Sequence, residues 1–174
     1  MVLGASKMEN SSENKKLKIK IFDIEKLCLE IAKFKQENKQ IVFTNGCFDI
    51  LHVGHVRYLS IAKSKGDILV IGLNSDSSVK AIKGSKRPIN SQEHRAEVLS
   101  GLYCVDFITI FEETNPLSII KLVKPDILVK GADWAEKDII GADFVKALGG
   151  KVERVSFVEN ISTSKIIEFI KNNI

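Results

Sequence analysis

A chain of 174 residues, 44% apolar and 28% charged, suits one folded domain with a core of ordinary size and does not match a disordered or fibrous protein. Its 26 Lys and Arg against 22 Asp and Glu leave a net charge of +4, too mild and dispersed to mark a nucleic-acid surface and equally suited to small anionic substrates. Three cysteines without motif spacing, Cys28, Cys47 and Cys104, predict reduced thiols and a cytoplasmic setting, and no apolar run approaches the roughly 18–20 residues of a membrane span.

Residues 1 to about 20 carry mixed charge and little to bury, which predicts a mobile tail ahead of a single domain over 21–174. From Asp23, a predicted N-cap, apolar residues at Ile24, Leu27, Cys28, Ile31 and Phe34 predict an amphipathic helix ending near Asn38 and covering an edge of a sheet. The run Ile41-Val42-Phe43 then leads through Asn45-Gly46 into a segment with Val56, Leu59 and Ile61-Ala62 on one side, the pattern of strand, tight turn and helix start. A helix start presents free N–H groups and a positive dipole, so this stretch predicts an anion site. Gly46 and Gly54 lack a Cβ and permit close approach to the main chain. His52 and His55, three apart, fall on one face of the first turn, where both imidazoles can donate to one group. Zinc ligation by the pair lacks a third ligand, and neither a G-x-G-x-x-G nor a G-x-x-x-x-G-K-[ST] pattern is present.

Gly66 ends that helix, and residues 68–73 read as a buried strand joined by a right-handed crossover. This strand ends at Asn74-Ser75-Asp76, where ligands bind in open parallel sheets. Four cations follow in Lys80-Ala81-Ile82-Lys83-Gly84-Ser85-Lys86-Arg87-Pro88, either a solvated loop or a mobile flap that neutralises phosphate charge. Ser91 caps a helix to about Gly101, on which Arg95 reads as a surface residue. Residues 105–111 form the next strand, Asn115-Pro116 opens a helix closed by Lys124-Pro125, and Ile127-Leu128-Val129 is a buried strand. Its exit, Lys130-Gly131-Ala132-Asp133-Trp134, is either a second half of the pocket or a loop with a packing Trp. Residues 138–148 read as a helix, 152–157 as a fifth strand, and a last helix starts at Ser162-Thr163-Ser164, where hydroxyls meet free N–H groups or serve as simple caps. The fold class is α/β, a doubly wound and mainly parallel five-stranded sheet with an extra N-terminal helix.

The stretch Thr44-Asn45-Gly46-Cys47-Phe48-Asp49 followed by His52-Val53-Gly54-His55 resembles the T-x-G-x-F-D-x-x-H-x-G-H signature of the nucleotidyltransferase superfamily, in its cytidylyltransferase-like branch. Ile161-Ser162-Thr163-Ser164-Lys165-Ile166 is similar to that superfamily's I-S-[ST]-[ST]-x-I motif. The resemblance covers about residues 40 to 172. It implies a Rossmann-like nucleotidyltransferase fold and a reaction in which a phosphate attacks the α-phosphorus of a nucleoside triphosphate and pyrophosphate leaves. His52, His55 and Lys83 are then the catalytic residues and Arg95 a phosphate contact. Nucleotide and phosphate contacts fall to Thr44, Asn45, Gly46, Cys47, Phe48, Gly54, Asn74, Asp76, Lys130, Gly131, Asp133, Ser162, Thr163 and Ser164. Asp49 and Asp133 are candidates for orienting Mg²⁺, with Asp49 alternatively an Asx-type turn former. Residues 83–90, 129–133, 149–153 and 162–167 resemble the adenylyltransferase half of the bacterial heptose biosynthesis enzyme, which implies ATP and a sugar phosphate, D-glycero-β-D-manno-heptose 1-phosphate, as substrates of a homodimer. The alternatives are a cytidylyltransferase acting on glycerol or ethanolamine phosphate and a nucleotide-binding module without catalysis. Phe157-Val158-Glu159-Asn160-Ile161-Ser162 lacks the arginine of the R-T-x-G-I-S segment carried by glycerol-3-phosphate cytidylyltransferases, which weighs against CTP.

Overall fold

Four largely apolar strands, β1 (Ile41–Gly46), β2 (Ile68–Asn74), β3 (Phe107–Phe111) and β4 (Ile127–Gly131), and a charged edge strand, β5 (Lys151–Val155), lie side by side in a computed structural model. It describes residues 20–132, 135–156 and 161–173. Every pairing is parallel and the order is β3-β2-β1-β4-β5, so the strands need crossovers, which the helices supply. These helices are α1 (Ile24–Gln36), α2 (Val53–Lys63), α3 (Asp76–Lys83), α4 (Gln92–Ser100), α5 (Leu117–Val123), α6 (Ala142–Ala147) and α7 (Thr163–Asn173). The order reverses between β1 and β4, and this is where an open parallel sheet parts at its carboxyl edge to admit a ligand.

Alternation along β1 divides the core into two layers. Val42 joins Leu69, Ile71, Ile127 and Val129 under Tyr58, Leu59 and Ala62 of α2 and Ala96 and Leu99 of α4. Ile41 and Phe43 join Val70 and Leu128 under Leu27 and Ile31 of α1, Ile119 and Ile120 of α5, and Val145 of α6. Both faces of the sheet are thus covered, which is why its strands read as continuous apolar runs. Among the described residues no helix is long and apolar enough to cross a membrane.

Several boundaries differ from the sequence expectation, each for a local reason. Asn45-Gly46 is the end of β1 and pairs with Gly72-Leu73, so the tight turn lies further on. Helix α1 covers the edge strand β3 as expected, with the Phe34 ring 5.8 Å from that of Phe107, and the segment before it pairs with that edge, where Phe22 donates its N–H to the Ile108 carbonyl at 2.9 Å and the Ile108 N–H reaches the Lys20 carbonyl at 2.7 Å. The first half of the expected basic loop is helix α3, because the Ser75 hydroxyl caps it by accepting the Ser78 N–H. The helix expected over 138–148 is split into a 3₁₀ turn, Glu136–Asp138, and α6, with Gly141 left-handed at φ 88° between them. The expected tail lies outside the described residues up to residue 19, as do Asp133, Trp134 and residues 157–160.

Gly72 is required by packing. A Cβ there would sit 2.7 Å from the Phe43 ring and 3.3 Å from the Asn45 Cβ in the closed centre of the sheet. Gly72→Ala is therefore expected to destabilise the fold by about 1–3 kcal/mol, the usual cost of overpacking, as measured by urea denaturation.

Candidate active site

Between β1 and α2 the chain makes its tightest excursion. Phe48 is left-handed at φ 44°, a conformation that costs a bulky residue about 1–3 kcal/mol, and its buried ring is folded under Gly46, whose missing Cβ would meet that ring at 3.0 Å. The ring then stands edge-on to the His55 imidazole at 5.2 Å. His52 is extended at φ −142° and occupies the N-cap of α2 without making a side-chain cap bond, whereas Asp23, Ser75 and Ser91 cap α1, α3 and α4. The first N–H groups of α2 thus have no side chain spent on them, and the dipole end is open to an anion.

The two imidazoles stack with ring centroids 3.8 Å apart and planes 23° from parallel. The sequence placed both on the first helical turn; the structure puts His52 just before it, and stacking rather than helical register brings the rings together. A Cβ on Gly54 would lie 3.0 Å from the His52 ring and 3.4 Å from the Ile161 methyl, so the glycine makes room for the stack and for the segment that leads into α7. Burial pushes the His52 pKa down; burial and then the neighbouring His52 push His55 down to about 4. Both rings are neutral at pH 7, and each keeps a buried Nδ1 without a hydrogen-bond partner. A neutral, stacked pair at an uncapped helix start holds N–H donors in place for a ligand oxygen.

The loop is held from below by two charged side chains. The Asp49 carboxylate accepts Arg87 Nε at 2.6 Å, the Ile89 N–H at 2.8 Å and the Asn90 N–H at 2.9 Å, while Asn90 Nδ2 returns to the Asp49 carbonyl at 2.8 Å. Burial raises the Asp49 pKa, but those N–H donors and the guanidinium outweigh it and hold the carboxyl below its ordinary value. Arg95 donates to the Asn90 carbonyl at 3.0 Å, the Cys47 carbonyl at 2.6 Å and the Asp76 carboxylate at 2.8 Å. Arg95 is buried, contrary to the sequence reading of a surface residue, and its fork faces protein acceptors where the resemblance implies a phosphate. Asp49 likewise has its oxygens filled by N–H donors, which leaves it unsuited to a cation and makes it a long-range anchor for residues 87–90 where sequence offered a local Asx-type turn as the alternative.

Other expected contacts sort by which way they face. Thr44 is buried, with its hydroxyl 2.7 Å from that of Tyr58, which in turn donates to the Val129 carbonyl, so its side chain is engaged inside the protein. Asn74 is buried too and donates to the Ser78 hydroxyl, while Asp76 is half-buried and bound to Arg95. Burial raises the Cys47 thiol pKa, against the opposing pull of Lys83, and the Phe48 ring is core. Asn45 and Lys130 meet across β1 and β4, Lys130 donating to the Asn45 side-chain oxygen, and Gly131 ends β4. Ser162 caps α7 by accepting the Lys165 N–H, and the Thr163 hydroxyl reaches the Ile50 carbonyl at 3.3 Å, so the start of α7 is tied to the loop that carries the histidines. Ser164 faces a cleft of about 550 Å³ between α7 and residues 86–89, lined also by Lys86, Ile89 and Lys171. Lys83 is exposed at the end of α3. Sequence reasoning missed Arg87, Asn90 and Tyr58. Arg87 stands in the sequence only as one cation of the basic run and Asn90 only within the resembling segment 83–90, and nothing there ties either to Asp49.

An all-parallel sheet with an uncapped helix start and a donor pair at its switch point belongs to the nucleotidyltransferase class of α/β enzymes. The chain is a member of the cytidylyltransferase-like family, whose sequence profile matches residues 43–169. It is 56% identical over 142 residues to the bifunctional protein HldE of Campylobacter jejuni subsp. doylei, and 47% identical over 169 residues to that of Geobacter metallireducens. Those matches take in 82% and 97% of this chain but 30% and 34% of the relatives, so the chain spans about a third of their length. A lipopolysaccharide core biosynthesis protein from Thermoplasma volcanium superposes with a TM-score of 0.57 at 32% identity, covering 71% of this chain and 99% of that one. Pantoate-beta-alanine ligase from Francisella tularensis, at 15% identity and a TM-score of 0.59, shares the fold.

Two outcomes follow from the charges. Because the folded Asp49 pKa lies below the unfolded value of about 3.9, its stabilisation is present above that pH and is lost as pH falls through the folded value. Asp49→Asn is expected to cost about 3 kcal/mol in urea denaturation at pH 6, with the difference from wild type narrowing as pH falls below about 4. In nucleotide-free protein the His55 ring resonances are expected to stay unprotonated from pH 8 down to 5 and to titrate at about 4, followed by NMR.

Proposed function

We propose that this chain transfers AMP from ATP to D-glycero-β-D-manno-heptose 1-phosphate, releasing pyrophosphate and forming ADP-heptose for lipopolysaccharide. The observation that carries the reading is the neutral His52–His55 stack at the uncapped start of α2, beside the switch point of the sheet. The likeness to bifunctional HldE proteins and to a lipopolysaccharide core biosynthesis protein supports the choice of acceptor.

In this reaction an oxygen of the sugar phosphate forms a bond to the α-phosphorus. The bond from that phosphorus to the bridging oxygen breaks on the opposite side, and its electron pair leaves on pyrophosphate. The attacking phosphate is already ionised, so no base is needed and catalysis reduces to positioning and charge stabilisation. His52 and His55 donate to the bridging and non-bridging oxygens as charge builds, worth on the order of 3 kcal/mol each by comparison with oxyanion donors. The starts of α2 and α7 lie on the leaving-group side, and the Lys83 ammonium covers the pyrophosphate. Mg²⁺ would be held by the triphosphate's own oxygens and would supply further charge neutralisation. Asp49, whose oxygens are filled by Arg87 and backbone N–H groups, does not fit as its ligand, and Asp133 lies outside the described residues, so the protein's steps run through its own donors. The three free cysteines support a cytoplasmic setting, and a homodimer is implied by the resemblance.

His52→Ala and His55→Ala are each expected to lower kcat by about a hundredfold or more with the fold intact by circular dichroism. Pyrophosphate release with Mg²⁺ is expected from ATP with the heptose phosphate, and not from CTP with glycerol 3-phosphate. Near-normal turnover in folded alanine variants removes the pair from the mechanism, and the reverse nucleotide preference removes the acceptor assignment.

A further inference from the structure

Lys130 is half-buried, and its one hydrogen-bond partner among the described residues is the neutral side chain of Asn45. Burial lowers its pKa to about 8, so near neutral pH it stands as a largely desolvated cation that no carboxylate among the described residues balances. A group in that condition costs folding free energy unless an anion arrives from outside.

Its position says which anion. Strand alternation sends Thr44 to the α2 face, where it meets Tyr58, and Asn45 to the other face, where its Cβ shares the space over Gly72 with the Phe43 ring. Lys130 stands with Asn45 at the switch point, and the register sets Arg154 of β5 beside it, a second cation on the same row. The helix starts and the histidine pair belong to the opposite side of β1. In-line displacement needs nucleophile and leaving group on opposite sides of phosphorus. With pyrophosphate on the α2 side, the incoming group arrives from the Lys130 side. We propose that Lys130 binds the phosphate monoester of the acceptor, and that the nucleotide's polyphosphate is held without it. This rests on the transfer reaction proposed above and assigns the two substrates to opposite faces of β1.

The test is calorimetric binding of two probes, the α,β-methylene analogue of ATP and, in its presence, heptose 1-phosphate, to the wild-type chain and to Lys130→Met and Lys130→Gln. Both variants are expected to bind the analogue as the wild type does and to bind heptose 1-phosphate about tenfold to a hundredfold more weakly, the loss from deleting one charged hydrogen-bond donor. Without ligands both are expected to unfold at the same or higher urea concentration than wild type, because a largely desolvated, unbalanced charge has gone. Weakened analogue binding overturns the assignment in favour of a polyphosphate contact. Unchanged heptose phosphate binding overturns it outright, and variants that fold poorly make Lys130 structural. If the wild type binds the analogue and no phosphate monoester, the transfer reading itself falls, an outcome distinct from the other three.

Discussion

The guanidinium of Arg95 lies out of water on α4 with three donors turned towards three segments of chain: the exit of β1 at Cys47, the start of α3 at Asp76, and the approach to α4 at Asn90. A buried cation is tolerated only when its charge and its N–H groups are both answered. Here the Asp76 carboxylate answers the charge and two carbonyls take up the fork. Those carbonyls belong to irregular backbone that no neighbouring strand satisfies, so one side chain meets the hydrogen-bonding needs of several loops. Asp49 does the same with opposite sign, gathering N–H groups from residues 87–90. The histidine stack stands on this frame, and neither imidazole makes a cap bond or shares its Nδ1 with the protein.

What could be read beforehand follows from how information is laid down in the chain. The strands at Ile41, Ile68 and Ile127 are legible because burial on both faces demands unbroken apolar runs, and the caps at Asp23 and Ser91 because one polar atom meets a local need. The Thr44–His55 stretch was legible as a whole, since its glycines and histidines have few other uses in that spacing. Arg95 was not. Its neighbours on α4 are polar, and nothing in a helical period tells an arginine facing solvent from one facing carbonyls 48 residues away. The internal bond of the Thr44 hydroxyl was hidden for the related reason that its partner, Tyr58, is brought opposite only by the crossover from β1 through α2. Motif membership located these residues at the site, and only tertiary contact separates those that touch a ligand from those that hold the loops.

The two layers of the core also separate the chemistry. The α2 side offers neutral donors and open helix ends, which suit a charge that changes during reaction. The β4 side offers a fixed cation beside an amide, which suits an anion that arrives charged. Because β1 lies between them, its last residues, Thr44, Asn45 and Gly46, serve as a partition: Thr44 locked to one side, Asn45 to the other, and Gly46 bare where the Phe48 ring tucks beneath it.

Residues 84–86 join α3 to the segment that Asp49 fastens. Gly84 is left-handed at φ 95° with open space around it, and the Arg87 N–H closes back on the Gly84 carbonyl at 3.0 Å. Three residues can span roughly 10 Å at most, and both ends of this span are anchored, one by a capped helix and the other by a carboxylate. The lysines at its margins, Lys83 and Lys86, are therefore leashed. They cannot swing clear as a long lid does, so their ammonium groups move by side-chain rotation on a nanosecond scale and not by a slow closing of the backbone. A leash of this length makes substrate entry and product exit compatible with the same arrangement of the main chain.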